Sequence, residues 1–382
     1  MKILIASELF YPKLRGGEVV LWRVARGLAA RGHSVRVITA KLEGTESRET
    51  VEGVEIIRPC EIGAKGKSKT FGAIGKKLVF MKKVYAVLRN EIDRDRPDVI
   101  YDNAYTATLP AGLAGKVTGL PVVTNLGNLQ RSGHFEGNSN PFVAFIQMAK
   151  EYFFIRFGGH SGIRVPSLKA KKEVREITDT RVFTIPTPID DDLAHKVLRT
   201  VDGESLRRQM GIDQEELFLL YVGALEKVKN LDSLMLSLGD LSRPFRFIVV
   251  GEGGERSNLQ RVAEQAGISE NVEFLGRLEH KRVLELMKAA DAFLLPSKSE
   301  TGPLVVLEAL SMNTKVVSTD VGIVPNLESD NLTVVDEVGD IVKTMERGLA
   351  PPSEEDFIEK YSIRKVSGEF ERMFETVIQN AS

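Results

Sequence analysis

Only one cysteine, Cys60, stands among 382 residues, so neither an intrachain disulfide nor a thiolate-built zinc site can form. No catalytic partner flanks it, and it reads as a packed core thiol and not as a nucleophile. Long apolar runs are missing as well: none approaches the ~18 to 20 residues that a membrane span needs. The opening residues Met1 to Ile5 meet Glu8 before a signal-peptide core could develop, so the chain is expected to stay cytoplasmic. Neither a G-x-G-x-x-G fingerprint nor a Walker lysine loop is present, which demotes hydride and phosphoryl chemistry.

Acid is absent from one long stretch. Between Glu61 and Glu91 lie Lys65, Lys67, Lys69, Lys76, Lys77, Lys82, Lys83 and Arg89, interleaved with Phe71, Ile74, Leu78, Val79, Phe80 and Tyr85. A basic, apolar loop leading into a helix fits contact with an anionic membrane surface, and fits equally a solvated helix with a core-facing stripe. The near-neutral net charge of −1 hides a wider asymmetry: residues 1–187 hold 30 Lys+Arg against 18 Asp+Glu, or +12, and residues 188–382 hold 22 against 35, or −13. Either a polyanionic partner or mutual attraction of two domains would account for it. Nucleic acid is not expected, because no stacking platform or groove-reading motif accompanies the charge.

What is present is a repeated grammar of short β-branched runs and helical patterns. Lys2 to Ala6, Ser34 to Thr39, Val54 to Ile57, Asp98 to Tyr101, Pro121 to Thr124 and Gly162 to Val165 read as strands, with Val20, Leu21, Val24 and Leu28 at helical spacing between the first two. The second half repeats this at Leu217 to Val222, Phe245 to Val250, Val272 to Leu275, Ala292 to Leu295 and Lys315 to Ser318. Helices are expected near 229–239, 255–267, 280–289 and 303–311. Strands alternating with helices mean α/β layers with parallel sheets and right-handed crossovers. Two doubly wound, Rossmann-like domains facing a central cleft follow: 1–187, then 188–361 after the Pro186-Thr187-Pro188 break. A C-terminal helix, 362–382, should pack back on the first domain, presenting Val366, Phe370, Met373, Phe374 and Val377 on one face.

Two places carry chemistry. In the segment from Glu8 to Gly17, a strand ends and the pair Gly16-Gly17 opens a helix, so unobstructed backbone N–H groups suit an anion. In the segment from Leu294 to Leu310, a strand runs into a loop carrying Glu300, Pro303 is placed to start a helix, and Glu308 falls in its second turn. Carboxylates so placed accept hydrogen bonds from vicinal hydroxyls, as sugars and ribose offer, while the helix N-terminus attracts phosphate.

The Glu300/Glu308 pair with seven residues between, Gly16-Gly17, Val222-Gly223, Val249 to Gly253 and Val316 to Gly322 together resemble the family 4 (group 1) glycosyltransferases of GT-B fold. The resemblance implies a retaining, metal-independent transfer from a nucleotide-sugar held by the C-terminal domain to an acceptor on the N-terminal domain. The nucleotide-sugar, a UDP- or GDP-sugar, is substrate, and no cofactor or metal is implied. The same resemblance implies that Glu300 holds donor-sugar hydroxyls, Glu308 the ribose and Lys229 the diphosphate. Gly16 and Gly17 would approach the phosphates or the transferred sugar, with Gly223 at the donor loop. Backbone around Gly302, Pro303, Leu304 and Val305 would complete the diphosphate cradle, and Glu252 and Arg277 would border the base.

Three departures stand out. Where the family has arginine after the glycine matched to Gly223, this chain has Ala224, with Lys227 nearby as a substitute cation. The family's Ile-Pro-Asn-Gly-Val-Asp linker appears as Ile185 to Asp190 without the Asn-Gly. The strand through Val122-Val123-Thr124 should lead into a histidine and instead reads Asn125-Leu126-Gly127-Asn128, the nearest histidine being His134. Asp190-Asp191-Asp192 contains a D-x-D pattern, but one belonging to a different glycosyltransferase architecture, and it reads as a solvated acid run. The expected function is sugar transfer to a lipid-linked or glycan (polysaccharide) acceptor, peripheral at the inner membrane face, with Lys76, Lys77, Lys82, Lys83 and His134 on the acceptor or membrane side. The alternative is a catalytically silent homologue acting as a nucleotide-sugar-binding or partner regulatory subunit.

Overall fold

The computed structural model describes residues 1–12, 14, 16–59, 71–103, 106–127, 129 and 141–381, without the side chains of 71–78, 141 and 143. Two compact units emerge: Met1–Leu129, Ile146–Pro188 and Ile363–Ser382 form the first, Gln130–Phe145 and Ile189–Ser362 the second.

In the first unit the β-branched runs form an eight-stranded sheet: β1 Lys2–Ala6, β2 Ser34–Ile38, β3 Arg48–Val51, β4 Val54–Ile57, β5 Val99–Asp102, β6 Val122–Asn125, β7 Gly162–Val165 and β8 Val182–Thr184. Their order is β3-β4-β2-β1-β5-β6-β7-β8. Seven strands are parallel and mostly buried and apolar, as helix-covered parallel strands are. β3 departs from the all-parallel expectation: it pairs antiparallel with β4 at the sheet edge. The reason is local. Glu52 and Gly53 both adopt positive φ, 47° and 78°, the backbone a two-residue hairpin needs.

Helix Gly16–Ala30 follows β1 and buries Leu21, Trp22, Val24, Ala25 and Leu28. Against it lies the last helix, Ile363–Gln379, whose Val366, Phe370, Met373, Phe374 and Val377 are buried in the core of the first unit. Phe370 and Phe374 both meet Tyr101 of β5 edge-on. Thus the end of the chain completes the hydrophobic face of its beginning.

The second unit holds a six-stranded parallel sheet: β9 Leu217–Val222, β10 Phe245–Val250, β11 Val272–Gly276, β12 Ala292–Leu295, β13 Lys315–Thr319 and β14 Leu332–Val335, in the order β11-β10-β9-β12-β13-β14. The winding direction reverses between β9 and β12. In doubly wound sheets ligands bind in the crevice beyond the carboxyl ends of such a strand pair. Helices Leu231–Leu238, Arg256–Gln265, His280–Ala289 and Leu304–Ser311 make the crossovers and bury a shared apolar core.

Candidate functional site

Beyond β9 and β12 two loops are tied together by hydrogen bonds. Lys298 N donates to Val228 O at 2.9 Å, and Asn230, in the left-handed conformation at φ 56°, donates its side-chain amide to Pro296 O at 3.2 Å. Lys229 closes the short 3₁₀ turn Lys227–Lys229 between these anchors. Its Nζ therefore stands 2.5 Å from Glu300 Oε1, which also accepts from Ser297 Oγ at 3.2 Å. Both side chains are largely enclosed, at 19% and 16% exposure, where screening by water is reduced. So the proposed diphosphate cation and the proposed sugar carboxylate are partners of each other in the free protein.

Pro303 caps helix Leu304–Ser311 and sets its direction with φ −66°. In its second turn Glu308 is 4% exposed, and its Oε1 lies 2.8 Å from His280 Nε2. A carboxylate can only accept, so in that bond Nε2 carries the proton. His280 opens helix His280–Ala289, four residues beyond the end of β11. Sequence reasoning missed it, since a single histidine at a helix start gives no signal without knowledge of what faces it.

Glycines play two different parts, one in each unit. At Gly322, φ +55°, a Cβ would lie 2.7 Å from Thr301 O and 2.9 Å from Glu300 O. The turn after β13 therefore presses directly on the backbone that carries Glu300, and only glycine fits. At Gly16 and Gly17 the opposite holds: a Cβ would meet nothing within 4 Å, so packing within the protein does not demand glycine there. Space left open at a helix start suits close approach of a ligand to backbone N–H groups.

The remaining sequence-derived positions distribute as follows. Gly223 follows β9 beside Tyr221, whose hydroxyl donates to Ala224 O at 3.1 Å. Burial, with the nearby charges of Glu300 and Glu226, pushes the Tyr221 phenol well above its usual range. Ala224 and Lys227 are exposed on the same loop. Glu252 and Arg277 are exposed at the ends of neighbouring strands, and a Cβ on Gly276 would lie 3.9 Å from Glu252 Oε1. Gly302, Leu304 and Val305 are half-buried around the helix start. Asp190 is taken up as a helix cap, accepting from Leu193 N at 3.3 Å. Lys82 and Lys83 are exposed on helix Phe71–Arg94. Cys60, Lys65, Lys67, Lys69, Asn128 and His134, and the side chains of Lys76 and Lys77, lie outside the described residues.

Two family models divide the chain between them: Glycosyltransferase Family 4 matches residues 14–193, and Glycosyl transferases group 1 matches residues 202–361. The chain belongs to the group 1 (family 4) glycosyltransferases. An uncharacterized glycosyltransferase of Methanocaldococcus jannaschii is 24% identical over 330 residues, covering 84% of this chain and 81% of the relative. Sucrose-phosphate synthase from Thermosynechococcus elongatus shares the fold with a TM-score of 0.79 at 16% identity, over 99% of each chain. Anabaena HepE, crystallised with UDP and glucose, superposes with a TM-score of 0.66 at 19% identity over 100% of this chain and 98% of that one. The two parallel-sheet units are those of a GT-B glycosyltransferase.

In the first unit of this glycosyltransferase the carboxyl ends of β1, β5 and β6 carry a polar network that the sequence did not announce. Asn125 Nδ2 donates to Asn103 Oδ1 at 2.8 Å, Arg164 donates to Asn125 Oδ1 at 3.0 Å, and Thr106 Oγ1 donates to Glu8 Oε2 at 2.5 Å. Beneath it Asp102 is fully buried, accepting from Thr108 Oγ1 at 2.7 Å and Thr124 Oγ1 at 2.6 Å. Burial pushes the Asp102 carboxyl up to about 7, against the two hydroxyl bonds that favour its charged form. Thr124 Oγ1 is also 2.6 Å from His160 Nδ1, and His160 Nε2 donates to Ile155 O at 3.1 Å.

Proposed function

We propose that this glycosyltransferase moves a sugar from a UDP- or GDP-sugar to a lipid-linked or polysaccharide acceptor, with retention of configuration and without a metal ion, peripheral at the inner face of a membrane. The observation that carries the reading is the Lys229–Glu300 pair at the mouth of helix Leu304–Ser311, in the crevice where the sheet reverses. Lys229 and the free N–H groups of Leu304 and Val305 meet the negative charge that grows on the departing diphosphate. Glu300 exchanges its lysine partner for donor hydroxyls, while Glu308 is kept for the ribose. With charge neutralised in this way, the departing phosphate oxygen can take the acceptor's proton on the same face, and no protein base is required. The exposed cations of helix Phe71–Arg94 support a site beside anionic lipid.

One observation favours the second reading, a silent nucleotide-sugar-binding subunit: Ala224 leaves the β9 loop without the family's arginine. Release of nucleoside diphosphate from a panel of UDP- and GDP-sugars, with lipid and polysaccharide fractions as acceptors, separates the two. Turnover that disappears in Lys229→Ala supports the enzyme. Donor binding without any cleavage supports the silent subunit, and absence of donor binding overturns both.

A further inference from the structure

Nine of the twelve large apolar side chains exposed among the described residues sit on three helices of one chain segment, Phe71–Arg94, Thr108–Thr118 and Pro141–Phe157. The densest group is on the third. Ile146, Tyr152, Phe153 and Phe157 are 47% to 61% exposed; Ile146, Phe153 and Phe157 recur at helical spacing and form one stripe, with Tyr152 to its side. Phe142 and Phe145, earlier on the same helix, are exposed as well. A monomeric soluble protein rarely leaves so many neighbouring aromatics in water, and such patches mark interaction surfaces.

The helix is held firmly from behind. Ile155 is buried, and His160 donates to Ile155 O while bonding Thr124 of β6. Just past its end the chain meets helix Thr108–Thr118 at close range, for a Cβ on Gly112 would lie 1.9 Å from Gly158 O. That second helix adds exposed Leu113 and Val117, and it packs in turn on Phe71–Arg94. The stripe thus stands on a helix anchored at Ile155 and just past its end at Gly158, and not on a frayed end.

Charge selects the partner. The exposed positions of Ile146–Phe157 include Lys150 and Arg156 and no acid; the one acid, Glu151, is 2% exposed. Lys116 is exposed on Thr108–Thr118 and Lys82 and Lys83 on Phe71–Arg94, where the first exposed acid among the described side chains is Asp93, near its far end. Two copies of this surface would set cations against cations, whereas an anionic bilayer offers the opposite charge to the lysines and hydrocarbon to the rings. The helix has 17 residues, and no helix among the described residues is long and apolar enough to cross a membrane.

We propose that helix Pro141–Phe157 lies in the plane of an anionic lipid surface, its Ile146/Phe153/Phe157 stripe and flanking Tyr152 inserted among the acyl chains and its Lys150 and Arg156 against the headgroups. This rests on the membrane-peripheral part of the function above and adds the inserting element, which the charge pattern alone did not indicate. It makes attachment partly apolar, hence partly resistant to salt.

Sedimentation with vesicles of phosphatidylglycerol and phosphatidylcholine, at low salt and at high salt, tests it on the full chain. Wild type should bind at both. The triple variant Tyr152→Ser/Phe153→Ser/Phe157→Ser should lose at least about tenfold in partitioning at high salt, since insertion of aromatic rings carries that component. Its binding of UDP or GDP, read by calorimetry, should match wild type and so report a folded chain. Equal high-salt binding of wild type and triple variant overturns the helix assignment while leaving membrane attachment intact. Failure of wild type to bind at low salt overturns membrane attachment itself. Self-association of wild type in sedimentation velocity, abolished by the triple variant, overturns the lipid assignment in favour of a second copy.

Discussion

His280 Nε2 is 2.8 Å from Glu308 Oε1, joining the first residue of one helix to the buried carboxylate of another. Through that bond the helix after β11 fixes the rotamer of the residue proposed to hold the ribose. Glu308→Gln is expected to weaken nucleoside diphosphate binding by about tenfold to a hundredfold, the loss of charge-assisted bonds worth roughly 1.5 to 3 kcal/mol. His280→Ala should act more mildly on affinity and cost about 1 to 3 kcal/mol of stability in a urea titration. Calorimetry of the two variants side by side checks the pair, and unchanged affinity in a folded Glu308→Gln protein would remove Glu308 from the donor site.

The Lys229–Glu300 contact sets opposite expectations for its two members. Lys229→Ala should nearly abolish binding of UDP or GDP, because it removes the largely enclosed cation. Glu300→Gln frees that cation, so nucleoside diphosphate affinity should hold or rise while turnover of the nucleotide-sugar falls. Parallel loss of affinity in both variants would place Glu300 on the nucleotide. Ala224→Arg, at an exposed position whose carbonyl is already held by Tyr221, should tighten diphosphate binding.

Gly322 is expected to matter for turnover without touching substrate. An alanine there must move the Glu300–Thr301 backbone or distort its own φ of +55°, a strain of about 1 to 3 kcal/mol. Gly322→Ala should lower turnover by more than its modest fall in melting temperature explains, with diphosphate affinity less affected. Wild-type turnover in this variant would mean that the loop tolerates displacement.

Asp102 gives the first unit a pH signature. Its carboxyl titrates near 3.9 in the unfolded chain and near 7 when buried, so the folded state keeps a proton that the unfolded state has lost. The stability it contributes is complete below pH ~4 and declines as pH rises towards about 7. Burial pushes His160 the other way, so its contribution rises with pH near its ordinary range. Asp102→Asn removes the aspartate slope alone. Chemical denaturation of both proteins from pH 4.5 to 8 should show wild type losing stability relative to the variant as pH rises, and parallel curves would contradict the buried assignment.

Much of the architecture was legible because it depends on local pattern. β-Branched runs such as Lys2–Ala6, Val54–Ile57 and Gly162–Val165 coincide with the strands, since a parallel strand covered on both faces is rich in β-branched and apolar residues. The short edge elements β3, β8 and β14 escaped notice. They are three to four residues long, and their partners, not their composition, make them strands.

Sequence alone determined that the chain forms doubly wound α/β layers, and that Glu300 and Glu308 flank a helix start, because strand, loop and helix signals all lie within a few residues of one another; the GT-B glycosyltransferase reading came from the resemblance of its motifs to a family. Tertiary structure alone decided what those carboxylates face. Lys229 reaches Glu300 across 71 residues of chain, His280 reaches Glu308 across 28, and Gly322 presses on a loop one strand away. Such pairs depend on which strands and helices lie side by side, the Lys229–Glu300 pair on the reversal of sheet order between β9 and β12, and an order of strands is a property of packing that no local window of sequence contains.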